Sequence, residues 1–99
     1  MFTVRVAVRV RPEGREQFLA QLKNEEQEVP ARFEGCERFA VYTDPGDADN
    51  VLLYEEWTSR EAADAYLTSD YFQAAGDVLL PLMDGSPDSA YYQAERVGP

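Results

Sequence analysis

Strict alternation of apolar and polar side chains opens the chain. Phenylalanine or valine occupies every second position over residues 2–10, and Thr3, Arg5, Ala7 and Arg9 stand between them. A period of two with β-branched residues is typical of a strand that buries one of its faces. The sequence therefore predicts a first strand over these residues, with its valines turned towards a core.

The apolar spacing then changes to that of a helix. Apolar residues recur at intervals of three and four at Phe18, Leu19 and Leu22. This pattern predicts a helix over residues 13–28 with one buried stripe and its other positions, Glu25 among them, in water. Proline has no backbone N–H to donate, so Pro30 predicts that the helix ends at about residue 29.

Three further strands are predicted. Residues 37–43 alternate, and residues 51–58 are apolar on both faces at their start, which is typical of a central strand. The run 44–50 between them is rich in Asp, Asn, Pro and Gly and predicts a loop. A last strand is predicted over residues 89–97 after another turn.

Helical segments lie between the third and the fourth strand. Ser59 begins a short helix that reaches about residue 67, because its hydroxyl can accept a hydrogen bond from an early backbone N–H. A second helical piece over residues 70–83 carries apolar residues at helical spacing, and Pro81 predicts a bend near its end. The order strand, helix, strand, strand, helix, strand predicts a ferredoxin-like α+β fold with its helices on one face of an antiparallel sheet.

The other face of this sheet needs a cover. It is expected to carry large amphipathic side chains, namely those of Arg5, Arg9, Tyr42, Tyr54, Tyr91 and Tyr92. The 99 residues are expected to form a single domain, which at this size has only a small core of its own. A homodimer with two sheets packed face to face is therefore expected.

Composition narrows the classes of partner. The chain has 19 acidic and 9 basic residues and a net charge of −10, which disfavours nucleic acids and anionic membrane surfaces. It has no histidine, and its one cysteine, Cys36, cannot form an internal disulfide. Together with the absence of a signal-peptide pattern, this favours a cytoplasmic protein.

Three short motifs carry a family resemblance. A Pro-Glu-Gly turn at residues 12–14 ends the first strand, Glu-Gly-Cys at residues 34–36 precedes the second, and Glu-x-Trp at residues 55–57 ends the third just before Ser59. In this order the motifs resemble the antibiotic biosynthesis monooxygenase family of small dimeric α+β barrel proteins. The resemblance covers nearly the whole chain and implies a substrate pocket between the helices and the sheet.

The activities of that family are expectations for this chain. Its members include cofactor-independent oxygenases that convert phenols, anthrones or quinols into quinones with O2, and enzymes that degrade haem. The haem branch is similar to this chain around residues 69–75, but it places its axial histidine where Gly76 stands and an asparagine where Ala7 stands. The resemblance therefore implies a monooxygenase without cofactor, with an aromatic small molecule and O2 as its substrates.

The resemblance also implies the site residues. Tyr66 and Tyr71 stand where many oxygenase members have histidines, and they are the candidate catalytic groups, as phenolic donors to a developing oxyanion. The candidate substrate-binding residues are Trp57, Phe39, Phe72 and Glu55.

Glu55 has two interpretations at this stage. Burial would raise the pKa of its carboxyl and make it a general base. Alternatively, Arg5 or Arg9 on the neighbouring first strand would pair with it and keep it ionised. Alternation places both arginines on the partner-facing side. The resemblance to the haem branch, counted back from the turn at residues 12–14, implies instead that they lie with Ala7 on the pocket side, and a bulge would reconcile the two placements.

Two other functions stay open. The missing histidines, and Leu53 where some quinone-forming members have an asparagine, favour a dimer that binds a small molecule without catalysis. A cyclase or isomerase of a polyketide intermediate on the same scaffold would consume no O2.

Overall fold

The computed structural model describes residues 1–98. Its elements in chain order are β1 (Phe2–Arg9), α1 (Arg15–Arg32), β2 (Cys36–Asp44), β3 (Asp47–Trp57), α2 (Arg60–Leu67), α3 (Asp70–Leu79) and β4 (Asp88–Gln93). Short 3-10 turns over Pro12–Gly14 and Leu80–Leu82 precede α1 and follow α3. Within these residues no helix combines the length and the apolar character that crossing a membrane requires.

The four strands form one antiparallel sheet in the order β2-β3-β1-β4. The helices pack on the face that carries Val4 and Val8, where Val4 joins a cluster with Val29 of α1 and Val8 joins one with Phe18 of α1. This is the ferredoxin-like α+β arrangement, so the predicted fold class is confirmed.

The core between sheet and helices consists of two clusters. One is centred on Trp57 and Tyr66, and the other on Phe18 and Leu22. Val6 of β1 and Leu53 of β3 pack against both clusters. The two clusters therefore meet at the middle of the two central strands.

The alternation predicted for β1 is confirmed. Its pairing with β3 runs without a register shift from Phe2, opposite Trp57, to Arg9, opposite Asn50. No bulge therefore moves its side chains from one face to the other, and Arg5 lies with Arg9 on the face away from the helices. At the Cys36 end of β2, the pairing of β2 with β3 has a register shift between Cys36 and Arg38.

Five of the six large side chains expected on the open face lie there, and Tyr91 does not. Tyr91 pairs with Val4 across the β1–β4 ladder and therefore shares its helix-covered face. Its ring stacks on Phe2, with 6.2 Å between the centroids. The strand β4 also ends at Gln93 rather than at residue 97.

Helix α1 continues through Pro30 to Arg32, so the predicted end at about residue 29 was wrong. Pro30 lies in the last turn, where a missing N–H removes only one hydrogen bond near the helix end. Val29 is completely buried, and the Phe33 N–H donates to the Val29 carbonyl at 2.9 Å. Packing of this last turn against the core outweighs the lost bond.

The loop predicted over residues 44–50 is a tight hairpin, so β3 begins four residues earlier than expected. The Asp44 carboxylate accepts the Gly46 N–H at 2.8 Å in the turn. Arg9 binds Asp47 at 3.0 Å, and Arg15 binds Asp49 at 2.7 Å. These ion pairs and the ladder to β1 extend the strand into a segment whose composition favours turns.

The helix start predicted at Ser59 and the start of the second helical piece at residue 70 are confirmed, whereas α1 begins at Arg15 rather than at residue 13. The Ser59 hydroxyl accepts the Ala62 N–H at 3.1 Å, and the Ser69 hydroxyl accepts the Phe72 N–H at the same distance. The second helical piece divides at residue 80 into α3 and the 3-10 turn that contains Pro81. This division is the bend that the proline predicts.

Gly35 brings two of the sequence motifs into contact. Its φ of +89° lies in the left-handed region, and its carbonyl accepts the Thr58 N–H at 2.8 Å. A Cβ at this position would stand 2.7 Å from the Ala62 Cβ and from the Thr58 Oγ1. Only glycine lets the chain before β2 approach the start of α2 so closely.

Replacing Gly35 by Ala is expected to lower the free energy of unfolding by about 3 kcal/mol. The methyl group would have to occupy the left-handed region and would also clash with α2. Urea unfolding followed by the fluorescence of Trp57 measures this change.

Gly85→Ala is the matched control. Gly85 also has a positive φ, +93°, but a Cβ there meets nothing within 4 Å. Its replacement is expected to cost only the conformational part, about 1 kcal/mol. Equal losses in the two variants would contradict the close packing at Gly35.

Candidate functional site

A cavity of about 170 Å³ lies between the helix-covered face of the sheet and the helices. Apolar side chains form most of its wall, including Val4, Val6, Val8, Phe18, Leu22, Val51, Leu53, Leu67, Phe72, Ala75, Leu79 and Tyr91. Drug-sized ligands occupy pockets of roughly 300–1,000 Å³, whereas an apolar cavity of about 150 Å³ holds benzene. The space therefore suits an aromatic molecule of one or two rings.

Two carboxyl groups interrupt this apolar wall. Glu25 of α1 and Glu55 of β3 both line the cavity, and each is only 1% exposed. Glu55 shares its strand face with Leu53 and Trp57, since side chains alternate along a strand. The cavity thus receives one carboxyl group from the helix layer and one from the sheet.

Trp57 is the hydrogen-bond partner of Glu55. The indole Nε1–H donates to the Glu55 Oε1 at 2.9 Å. Arg5 and Arg9 lie on the opposite face of the sheet, and Arg9 binds Asp47 instead. The pairing of Glu55 with an arginine, one of its two interpretations, is therefore wrong, because the period of two separates the three side chains.

Both carboxyl groups have raised pKa values. Burial raises the pKa of Glu55, the Trp57 hydrogen bond opposes this and the charge of Glu25 adds to it, which together bring the pKa to about 7. Burial also raises the pKa of Glu25, whose Oε2 accepts a hydrogen bond from Gln21 at 2.9 Å. A carboxyl with a pKa near neutrality is suited to accept and return a proton.

Tyr66 lines the same cavity and is 1% exposed. The Trp57 ring stacks on its ring at 5.4 Å between centroids, and Phe33 and Phe72 meet it edge-on at 5.1 and 5.2 Å. Burial, and then the charges of Glu55 and Glu25, raise the pKa of Tyr66 far above its usual range. The hydroxyl therefore stays protonated and can donate a hydrogen bond.

Of the other predicted site residues, Phe72 lies at the edge of the cavity, and Phe39, Trp57 and Tyr71 lie outside its wall. Phe72 is at the edge and 39% exposed. Phe39 is buried behind Tyr66, with 6.3 Å between their ring centroids. Trp57 is completely buried and reaches the cavity only through its contacts with Glu55 and Tyr66. The structure thus brings together Glu55, Tyr66 and Phe72.

Tyr71 connects two helices. Its hydroxyl donates to the Glu28 Oε2 at 2.8 Å, and the Arg32 guanidinium lies 5.0 Å from its ring centroid. Burial and the hydrogen bond to Glu28 raise the pKa of Tyr71 to about 12. These contacts hold α3 against α1, away from the carboxyl groups of the cavity.

Glu25 is the site residue that the sequence analysis missed, and its expected exposure to water was wrong. The buried residues of α1 are Phe18, Leu22, Glu25 and Val29. Their spacing of four, three and four residues is that of a single helix face. A glutamate on this face of the helix was therefore the sequence signal for a buried carboxyl group. Among residues 1–98, no group of three or more His, Cys, Asp and Glu side chains is placed to hold a metal ion.

The fold and the cavity define a class: a small ferredoxin-like protein with a partly open, largely apolar site between sheet and helices. The sequence model of the family described as antibiotic biosynthesis monooxygenase matches residues 1–78. Because this match covers most of the chain, the chain belongs to that family. No curated protein matches its sequence significantly.

Solved structures share this fold. A protein from Deinococcus radiodurans, named a candidate antibiotic biosynthesis monooxygenase, is 19% identical with a TM-score of 0.90, over 100% of this chain and 97% of its own. One named likewise from Caulobacter crescentus CB15 is 24% identical with a TM-score of 0.89, over 96% and 90% of the two chains. A conserved protein from Methanosarcina mazei Go1 is 23% identical with a TM-score of 0.87, over 95% and 92%. At these identities the similarity establishes the fold.

The pKa of Glu55 predicts how stability depends on pH. The folded protein holds this proton up to a pH of about 7, whereas the unfolded chain loses it near pH 4.5. The folded state binds more protons between these values, so stability falls as the pH rises through them. Glu55→Gln removes the ionisable group, keeps an acceptor for Trp57, and is expected to gain about 3 kcal/mol at pH 8 and little at pH 5.

Urea unfolding at a series of pH values between 5 and 8 measures this effect. Glu37→Gln is the matched control, because Glu37 carries the same charge on β2 but is exposed. It is expected to leave the pH dependence of stability unchanged. A wild-type protein whose stability does not fall over this range would contradict the buried, protonated state of Glu55.

Proposed function

We propose that this protein is a cofactor-independent monooxygenase that oxidises an aromatic substrate of phenolic or quinol type with O2 to a quinone; of the expected substrate classes, the three-ring anthrones exceed the cavity of about 170 Å³. The observation that carries the proposal is the Glu55 carboxyl, 1% exposed in the wall of an apolar cavity and with a pKa of about 7. It supplies a general base in a chain that has no histidine. Membership of the antibiotic biosynthesis monooxygenase family supports the reaction class.

The first step of the proposed reaction is removal of a proton from the substrate. A base with a pKa near the working pH combines the correct ionisation state with a useful driving force. The carboxyl of Glu55 takes the proton, and the Tyr66 hydroxyl donates a hydrogen bond to the oxygen anion that forms. The apolar wall keeps water from the anion and strengthens both interactions.

The substrate itself then supplies the electrons. An electron-rich phenolate or enolate reduces O2 without flavin, metal or nicotinamide. One oxygen atom bonds to the substrate carbon, and two hydrogen atoms leave the substrate with the other oxygen atom as water. For a phenol with a free para position, phenol plus O2 gives para-quinone plus water, which balances atoms and electrons.

Trp57, Phe39 and Tyr71 have supporting roles in this proposal. The indole of Trp57 orients the Glu55 carboxyl and stacks on Tyr66, which makes it a positioning residue. Phe39 packs behind Tyr66, and Tyr71 holds α3 in place through Glu28. Tyr66 is the proposed hydrogen-bond donor, and Phe72 is the proposed edge of the substrate cavity.

We also propose that the protein is a homodimer. The face of the sheet away from the helices has a shallow depression of about 500 Å³ whose lining includes Arg5, Tyr42 and Leu52. Tyr42 is 43% exposed and Tyr92 is 51% exposed on this face. Large amphipathic side chains of this kind are typical of surfaces that a partner covers.

Oxygen uptake with purified, metal-free protein tests the proposed reaction. With 1-naphthol and a panel of one- and two-ring phenols and quinols, uptake is expected above the rate of autoxidation, with quinone formed in equal amount, whereas anthrone is expected to show autoxidation alone. Glu55→Gln is expected to lower this rate about 10²–10⁴-fold, because it removes the base and keeps the shape. Glu37→Gln is expected to retain the full rate.

A cyclase or isomerase is the second candidate, because Glu55 and Tyr66 alone provide for proton transfer. It would convert its substrate without oxygen uptake. Absence of uptake across the panel, together with saturable binding and no product, would contradict the monooxygenase and favour a binding protein.

The dimer has its own test. Leu52 lies on the open face, opposite Ala7 of β1 and Tyr42 of β2. Leu52→Asp is expected to reduce the mass measured by light scattering from twice 11.2 kDa to 11.2 kDa. Ala74→Asp, on the exposed side of α3, is the control and is expected to remain dimeric. A wild-type mass of 11.2 kDa would contradict the dimer.

A further inference from the structure

The pair of carboxyl groups supports an inference that deepens the proposed function and rests on it. Glu25 and Glu55 line one cavity of about 170 Å³, each 1% exposed. Within residues 1–98 each accepts one neutral hydrogen bond, Glu25 from Gln21 and Glu55 from Trp57, both at 2.9 Å. Two negative charges in one apolar cavity would repel one another with little screening.

The surroundings of the pair within residues 1–98 supply no cation that would offset its charge. The titratable groups that interact electrostatically with these two carboxyls are Glu28, which is acidic, and Cys36, Tyr66 and Tyr71, whose raised pKa values keep them neutral near pH 7. One ionised and one protonated carboxyl is the state that such an environment favours near neutral pH.

Tyr66 adds a hydrogen-bond donor to the same cavity. It lines the cavity and is 1% exposed, and burial keeps its hydroxyl protonated. The hydroxyl is therefore available to a polar atom inside the cavity.

We propose that Glu25 and Glu55 share a single proton and, together with Tyr66, form the site that binds and deprotonates the hydroxyl group of a neutral phenol or enol. The pair receives the substrate proton and becomes fully protonated. The substrate oxygen becomes the anion and accepts hydrogen bonds from the Tyr66 hydroxyl and from a carboxylic O–H. The proton returns to oxygen when water leaves.

This arrangement keeps the charge of the cavity constant. One negative charge is present on the pair before the proton transfer, and one is present on the substrate oxygen after it. No additional charge has to be created in an apolar space, where the free energy of a new charge would be high. A single glutamate would achieve the same transfer only from a fully ionised state, without a second carboxyl to donate to the anion.

The site selects its ligand by charge and by hydrogen bonding. A neutral phenol of one or two rings fits the volume and donates its proton to the pair. A carboxylate of the same size would place a second negative charge beside the first, and an ether would donate nothing.

The sharing of a proton is measurable without any substrate. In wild-type protein labelled with ¹³C at the glutamate carboxyls, the resonances of Glu25 and Glu55 are expected to titrate in two common steps. In Glu25→Gln the midpoint of Glu55 is expected to fall, because the negative neighbour that raises it is absent. In Glu16→Gln, which removes an exposed charge from α1, the titration is expected to be unchanged.

Independent single-step titrations in the wild-type protein would overturn the shared proton. This measurement needs no variant, so a poorly folded Glu25→Gln protein would not affect it.

Ligand selection is tested by the fluorescence of Trp57 with three naphthalenes. 1-Naphthol is expected to bind about tenfold or more tightly than 1-methoxynaphthalene, and 1-naphthoate is expected to bind most weakly. Tyr66→Phe is expected to weaken the binding of 1-naphthol and to leave the affinity for naphthalene, which has no oxygen to accept a hydrogen bond, unchanged. Equal binding of the three substituted naphthalenes would overturn the proposed site.

These measurements separate the two proposals. Coupled titration and selective binding of 1-naphthol, without oxygen uptake across the panel, would support the acid–base site and contradict the monooxygenase. Oxygen uptake whose pH profile is identical in wild type and Glu25→Gln would support the monooxygenase and overturn the carboxyl pair.

Discussion

The buried indole of Trp57 sets the constraint on which the site depends. Its side chain is completely buried, and an indole N–H without an acceptor in a core costs about 1–3 kcal/mol. Glu55, two residues earlier on the same face of β3, accepts this hydrogen bond at 2.9 Å. The chain meets a structural requirement with a carboxyl group, which is much harder to bury than a neutral acceptor.

That choice of acceptor is informative because a neutral one would suffice for the fold. A glutamine at position 55 would accept the same hydrogen bond without an ionisable group. Glu25 repeats the pattern on α1, where Gln21 supplies its donor and an apolar residue would complete the stripe. Two carboxyl groups kept in one apolar cavity at the expense of stability are typical of a functional site.

The sequence predicts the fold well because its strongest signals are local. The alternation of β1 depends on backbone periodicity and the Ser59 cap on a single hydrogen bond, and tertiary structure reinforces both. Pro30 misleads because packing of the neighbouring Val29 outweighs its local effect. The extent of the 44–50 hairpin depends on ion pairs with Arg9 and Arg15, which only the assembled sheet brings into reach.

The site was predictable in part, for a similar reason. Glu55 and Tyr66 follow from the motif around residue 57, and the side of the sheet that Glu55 faces follows from counting alternation. The exclusion of Tyr71 from the cavity does not follow, because its hydrogen bond to Glu28 joins residues 43 positions apart. The spacing of Glu25 places it on the apolar face of α1, and this spacing is visible in the sequence. A charged residue is normally expected to be exposed to water, so its burial was not predicted.

The division of the core into two clusters has a thermodynamic consequence. The cavity lies where the clusters meet, and Val6 and Leu53 line it while packing against both. A molecule that fills it turns two half-cores into one continuous core and binds only the folded chain. The free energy of binding at a given ligand concentration then adds to the free energy of unfolding. The melting temperature therefore rises with ligand concentration and reports occupancy even when no reaction occurs.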